Sequence, residues 1–221
     1  MIELKDTSKV YRRGRREVKA LDGIDLHVDA GEFAVIEGPS GSGKTTLLFL
    51  VAGLIRPTTG TVTVNGTELT GRTSSALAAF RQQTFGFVFQ MFHLIPYLTA
   101  VENVCVPMGL TGVPPAEAVK RAGELLARFN LSDRVDHYPA EMSAGEKQRV
   151  AIARAVANRP PVVLADEPTG NLDRKAAEDV LNAFEEINAE DTTIVVVTHD
   201  ARLMDRASRR LALEDGRLLS G

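Results

Sequence analysis

The sequence holds one cysteine, no tryptophan, three tyrosines and four scattered histidines. A lone thiol, Cys105, cannot close an intrachain disulfide, and the histidines lack metal-ligand spacing, so a disulfide scaffold and a Cys/His metal site are excluded and a reducing compartment fits. No apolar run approaches the ~20 residues that a bilayer-spanning helix needs, so the chain is not expected to cross a membrane itself. Residues 1–9 mix charges with single apolar side chains, unlike a signal or transit peptide. The formal charge of -3 leaves no bulk positive field for nucleic acid or anionic lipid. Arg12, Arg13, Arg15 and Arg16 are a local exception and read as a solvated hairpin. Low-complexity tracts and internal repeats are also missing. What remains, 221 residues at 44% hydrophobic and 25% charged, suits one well-buried α/β domain and is too short for two.

Short strand patterns at 2–5, 18–21, 24–28 and 32–37 predict a small antiparallel layer feeding a core strand. A Gly/Ser loop and an apolar helix over 45–54 follow, closed by Arg56-Pro57-Thr58-Thr59-Gly60. Residues 61–64 alternate ahead of an Asn65-Gly66 turn, and 85–89 reads as another strand. Between 99 and 160 the pattern is helical: Thr99-x-x-Glu102 forms a capping box, 114–129 is amphipathic, and 143–158 is a third helix. Strands return at 162–165 and 193–198 around a helix near 174–188. Their near-continuous apolar runs require cover on both faces, hence a mostly parallel sheet with flanking helices, and the stretch near 91–158 reads as a helical subdomain inserted in that core.

Gly38-Pro39-Ser40-Gly41-Ser42-Gly43-Lys44-Thr45 fits G-x-x-x-x-G-K-[ST] at every fixed position, between an apolar strand and a helix. Glycines let backbone N–H groups close around phosphate oxygens, and the helix adds its positive end. Lys44 is placed to reach the β- and γ-phosphates, and the Thr45 hydroxyl to ligate Mg²⁺. Val162-Val163-Leu164-Ala165-Asp166-Glu167 then delivers two carboxylates at a strand's C-terminal end, where open α/β sheets bind ligands. Asp166 would hold Mg²⁺ and Glu167 would aim at the attacking water. A third element, Met142-Ser143-Ala144-Gly145-Glu146-Lys147-Gln148-Arg149, opens a helix: Ser143-x-x-Glu146 is a capping box, and the same helix end offers orphan N–H groups to a phosphate.

In order and spacing these elements resemble the ATP-binding subunits of ABC transporters over essentially the whole chain, with a P-loop NTPase core as the implied fold. The resemblance implies that ATP is bound by Tyr11 as the adenine-stacking aromatic, by Gly38 to Thr45 with Thr46, by Gln90 in Phe87-Val88-Phe89-Gln90, and by Ser143, Gly145 and Glu146 of the signature. It assigns Mg²⁺ to Thr45, Gln90 and Asp166, and catalysis to Lys44, Glu167 and a switch histidine, His199. Asn171-Leu172-Asp173 resembles the loop that crosses the dimer. Met142 and Ala144 depart from the family's commoner Leu and Gly, and Glu146 from its Gln; the Ala144 methyl crowds the backbone near phosphate. Phe89 to Pro96 and Glu167 to Asp173 resemble the branch of lipoprotein-release, macrolide-export and cell-division ATPases. The implied partners are a second copy arranged head to tail and a separate polytopic permease, with the chain held at the cytoplasmic face of the cell membrane and no nucleic acid involved. Two rivals have weaker support. A P-loop small-molecule kinase has no use for the Ser143 helix or His199, and DNA-repair or translation ATPases of this type carry coiled coils or paired domains. A transmembrane mechanical switch, as in the cell-division branch, keeps every feature of the motor.

Overall fold

The computed structural model describes residues 1–14 and 16–219, without the side chains of Arg13 and Arg16. Of the arginine cluster expected as a solvated hairpin, Arg15 lies outside the described residues, Arg13 and Arg16 are ladder partners at the close of the first two strands, and Arg12 Nε meets Glu17 at 2.9 Å. Strands β1 (Ile2–Arg13) and β2 (Arg16–Val28) form one long antiparallel pair, joined on the β1 side by β4 (Thr59–Val64) and β5 (Thr67–Glu68). The two patterns read at 18–21 and 24–28 are therefore one strand, which runs on through Asp22-Gly23 with register shifts in the ladder. A turn-like dipeptide within a ladder is absorbed as a bulge when both flanks are paired.

The second sheet has the order β10-β9-β3-β8-β7-β6. Its strands β3 (Phe33–Glu37), β6 (Phe85–Phe89), β7 (Val162–Asp166), β8 (Thr193–Val197) and β9 (Arg209–Glu214) run parallel, and β10 (Arg217–Leu219) turns back antiparallel. Alternation along the central strands sends side chains to two separate cores. Phe33, Val35, Val163, Ala165, Ile194 and Val196 pack toward α3 (Ala100–Leu110), α4 (Pro115–Arg128), α5 (Ala144–Ala155) and α6 (Arg174–Asn188). Ala34, Ile36, Val162, Leu164, Val195 and Val197 pack toward α1 (Lys44–Val51) and the antiparallel sheet. Burial on both faces explains the unbroken apolar runs.

Helix α2 (Ser74–Thr84) was not expected: it buries only Leu77 and Thr84, too narrow a stripe to register as a period. Its start is marked by Thr73, whose hydroxyl accepts from the Ala76 N–H at 3.3 Å. Helix α7 (Ala201–Arg206) and strands β9 and β10 were also unread; in β9, Arg209, Arg210 and Glu214 dilute the apolar pattern. Helix α5 ends at Ala155, ahead of the residue 158 expected; Arg159 then turns left-handed at φ 50 before Pro160 and Pro161. No helix among the described residues is long and apolar enough to cross a membrane.

One polar residue fixes the segment 91–98 that leads from β6 into α3. Asn103 is fully buried; its Oδ1 accepts from Ile95 N at 2.8 Å, and its Nδ2 donates to Ile95 O, Leu98 O and Thr99 O at 2.9–3.1 Å. Arg154 adds bonds to Phe92 O at 2.8 Å and His93 O at 2.6 Å, holding two left-handed residues in place. Asn103→Leu would strand the Ile95 N–H and the Leu98 carbonyl in the interior, while Ile95 O keeps the Leu98 N–H and Thr99 O keeps the N–H of residue 103. We expect a loss of about 2–3 kcal/mol, read by urea denaturation; a variant within about 0.5 kcal/mol of wild type would show that water replaces the amide freely.

Candidate functional site

Because β3, β6, β7 and β8 are parallel, their C-terminal ends open on one edge of the sheet. Phe89 pairs with Asp166, and Asp166 with Val197, so the residues just beyond these strands come together. They line one cavity of about 850 Å³ with the Gly38–Thr46 loop, Gln90, Asp166, Glu167 and His199. The antiparallel layer contributes Val18, Lys19 and Ala20, and the β9–β10 turn contributes Asp215 and Gly216. These last five were not foreseen; no motif marks them, and only the fold brings them to the loop.

The loop conformation needs glycine at two places. Gly38 has φ 153 and Gly43 φ 106, and a Cβ would meet Leu213 O at 2.1 Å in the first and Ala20 O at 2.4 Å in the second. Between them Ser42 is buried with its Oγ lacking any partner among the described residues. Lys44 folds back, donating to Gly38 O at 2.7 Å and Pro39 O at 2.9 Å. An ammonium parked on two carbonyls, an orphan hydroxyl and a glycine-bounded cradle at the start of α1 fit a polyphosphate.

Across the cavity the Thr45 hydroxyl donates to Asp166 Oδ2 at 3.0 Å. Burial raises the Asp166 carboxyl above its ordinary range, opposed by the Thr45 bond. A hydroxyl and a carboxylate are hard oxygen donors suited to Mg²⁺. Among the described residues no three His, Cys, Asp or Glu side chains cluster to hold a metal. The ion would thus depend on substrate oxygens as well, as Mg²⁺ sites on phosphates do. Gln90 stands at the cavity wall, its Nε2 3.4 Å from Asn171 Oδ1, while Asn171 Nδ2 donates to Gln90 O at 3.1 Å.

Glu167 occupies a left-handed turn at φ 45 with its N–H donating to Val197 O at 2.9 Å. Such a conformation costs about 1–3 kcal/mol in a non-glycine residue and persists where neighbours over-determine it. Thr198 Oγ1 donates to Glu167 Oε2 at 3.0 Å, and His199 Nδ1 lies 2.9 Å from Oε1. One residue on, Gln148 of α5 is fully buried and donates to Pro168 O at 2.6 Å. Thr169 Oγ1 then reaches Asp200 Oδ2 at 2.7 Å, and Arg202 forks onto the same carboxylate at 2.7 and 3.0 Å. Gln148, Thr169, Thr198 and Asp200 escaped sequence reading because each acts through a contact far away in the chain.

Two expected elements lie apart. Ser143 caps α5, its Oγ accepting from Glu146 N at 3.2 Å while Glu146 Oε2 accepts from Ser143 N at 2.8 Å. Glu146 is turned inward, with Oε1 on Arg134 Nε at 2.7 Å, and Gly145 lies so close to α6 that a Cβ would meet that of Ala176 at 2.7 Å. Ser143, Gly145 and Glu146 do not line the cavity. Tyr11 is 41% exposed under Lys9, whose Nζ is 5.2 Å from the ring; its ladder partner Val18 reaches the cavity lining, and Tyr11 does not.

A second hollow of about 400 Å³ lies along β6 and α3, where Phe85, Phe87, Phe89 and His93 face Val106, Pro107 and Leu110. Phe87 and Phe89 stack at 5.8 Å, and Phe89 meets the His93 ring at 4.9 Å. Met91 and Tyr97 are 66% and 78% exposed nearby, whereas Leu94 packs into the helical core.

A family model described as ABC transporter matches residues 21–170. The lipoprotein-releasing system ATP-binding protein LolD 1 of Caulobacter vibrioides is 47% identical over all of this chain and 95% of its own length. The macrolide export ATP-binding/permease protein MacB of Hyphomonas neptunium is 44% identical over all of this chain, which spans 34% of that longer protein. Among solved structures, the dimeric post-hydrolysis state of the ATP-binding cassette MJ0796 bound to ADP and Pi superposes with a TM-score of 0.93 at 40% identity, covering all of this chain and 97% of that one.

The capped carboxylates carry a pH signature. Hydrogen bonding from the Ser143 backbone and Arg134 holds Glu146 at about 2, and the Arg202 fork with Thr169 holds Asp200 at about 2. Both lie below the ~4 of a free carboxylate, so the stability they lend is complete above pH ~4 and is lost as pH falls toward the folded values. Urea unfolding at a series of pH values should show this decline. Asp200→Asn should lower stability at neutral pH and flatten the decline; an unchanged slope would mean that the Asp200 charge is not coupled to folding.

Proposed function

The chain belongs to the ABC transporter family, as an ATP-binding subunit and ATPase, and from that premise we propose that two copies close head to tail on MgATP to drive a separate membrane permease. The observation that carries the arrangement is a division within one chain. The P-loop, Gln90, Asp166, Glu167 and His199 share a cavity, whereas the phosphate-directed helix end at Ser143 stands exposed outside it. A second copy related by two-fold symmetry would bring its Ser143 and Gly145 to the open side of the cavity, completing two equal sites. A monomer would then hydrolyse slowly.

In this reading the antiparallel layer, with Val18 and Tyr11, takes the base and ribose side of ATP. Lys44 exchanges the Gly38 and Pro39 carbonyls for phosphate oxygens. Thr45 and Asp166, with Gln90 beside them, would hold Mg²⁺, which would supply positive charge to offset that of the phosphates. Glu167 orients the attacking water and accepts its proton as the water oxygen bonds the γ-phosphorus and the bridging oxygen leaves with ADP. His199 steadies both Glu167 and the γ-phosphate. Residues 91–158 act as a helical subdomain of a single ATPase domain spanning residues 1–221.

The aromatic hollow beside Gln90 suits an apolar segment of the permease on the cytoplasmic face of the cell membrane. Gln90 touches the nucleotide cavity, and Phe89 and His93 touch this hollow, so one short segment senses both. The lipoprotein-releasing and macrolide-export relatives support a permease of that branch as the partner.

Glu167→Gln keeps the side-chain shape but removes the proton acceptor. It should slow hydrolysis by about 100-fold or more and trap an ATP-dependent dimer on size-exclusion chromatography, and adding Ser143→Arg should abolish that dimer. Wild-type turnover in Glu167→Gln would place the catalytic acid elsewhere. Leu110→Asp, in the aromatic hollow, should leave the trapped dimer intact while removing co-purification of the membrane subunit from detergent; retained co-purification would move the docking surface.

A further inference from the structure

At the opposite end of the sheet from the nucleotide, a cavity of about 460 Å³ opens between α4, the end of α5 and the segments entering β7 and β8. Three arginines line it, and their circumstances differ. Arg128 is paired, its Nη1 at 2.8 Å from Glu190 and its Nε at 3.6 Å from Glu186. Arg121 and Arg159 make no side-chain hydrogen bond or ion pair among the described residues, and the Arg121 Nε is shut off from solvent without a partner. That Nε, closed to solvent, is closed to a ligand in the open hollow as well, so it is the rest of the Arg121 side chain, together with Arg159, that lines the cavity. Burial pushes the Arg121 ionisation down, and repulsion from the second guanidinium, Arg159, adds to it. Glu124 and Glu117 offset part of this from the same helix without bonding Arg121.

Two unpaired guanidiniums facing one hollow are a fork for an oxyanion, because planar N–H pairs match phosphate geometry. The remaining lining sets the rest of the ligand. Glu124 and Asp191 present carboxylates that accept from hydroxyl groups, while Val156 and Ile187 give an apolar floor. The volume falls within the ~300–1,000 Å³ of small-molecule sites. Nothing in the nucleotide chemistry uses these residues, and none of them lines the nucleotide cavity. We propose that this cavity is a second anion site, taking a small phosphate-bearing polyol with its phosphate between Arg121 and Arg159. The same chemistry is carried by a soluble sugar or glycerol phosphate and by a phosphatidylglycerol headgroup.

The test uses glycerol 3-phosphate titrated into the full chain by calorimetry, with MgADP saturating the P-loop so that phosphate cannot compete there. Saturable binding of one equivalent is expected, weakened about tenfold or more in Arg121→Gln and in Arg159→Gln and unchanged in Arg72→Gln, on a distant surface. Arg159 is exposed on a turn, so its variant keeps the test valid if Arg121→Gln fails to fold. Sedimentation with phosphatidylglycerol and phosphatidylcholine vesicles separates the sources. Binding only to the former, lost in both arginine variants, supports the site with a lipid headgroup as its ligand. No binding in either arm, or binding indifferent to both arginines, overturns the proposal. Because the readout depends on Arg121 and Arg159 alone, it stands or falls separately from the ATPase mechanism.

Discussion

The central strands are covered on both faces, and the chemistry is placed by that constraint. With Val35, Val163, Val196 and their neighbours sealed into two cores, polar atoms can reach solvent only where the strands stop. Parallel order makes four of them stop on one edge, so the loop after β3, Gln90 after β6, the acid pair at the end of β7 and His199 after β8 have no other place to meet. The antiparallel sheet closes the same edge from the side, through Ala20 against Gly43.

Two kinds of strain are held at that edge. The P-loop glycines pass within a Cβ's width of the backbone of Leu213 and Ala20, and Glu167 sits left-handed. The Glu167 turn is maintained by groups on other elements: Val197 and Thr198 bond Glu167, Gln148 bonds Pro168, and Asp200 bonds Thr169. The turn after Glu167 is thus tied to α5, whose first turn carries Ser143. In the head-to-tail pair proposed above, Ser143 of one copy would face the nucleotide of the other while Glu167 would serve its own, so this short connection would lie between the two sites.

The motifs were legible because each couples a residue type to a backbone setting that the sequence announces: glycines after an apolar strand, two acids ending another, and Ser143-x-x-Glu146 opening a helix. The parallel core was legible for the same reason, since double burial leaves an unbroken apolar run. What was not legible depends on distance in the chain. Asn103 reads as a polar interruption of an apolar helix face until Ile95 and Leu98 are seen folded against it. Lys19 reaches the nucleotide cavity only through the packing of one sheet on the other, and Asp215 only because β9 pairs beside β3. Helix α2 and strands β9 and β10 bury too little to leave a period.

The central claim is that each working site takes its P-loop from one copy and its Ser143 from the other. Mixing two inactive chains tests it most directly. Lys44→Ala removes one component and Ser143→Arg the other, so a mixed pair retains one site in which both are intact. Single-turnover hydrolysis of ATP should be near background for each variant alone and should reappear when they are mixed, whereas a chain carrying both substitutions should restore nothing to either. If mixing gives no more hydrolysis than the sum of the separate variants, although mixed pairs form, the site is contained within one chain and the head-to-tail account is wrong.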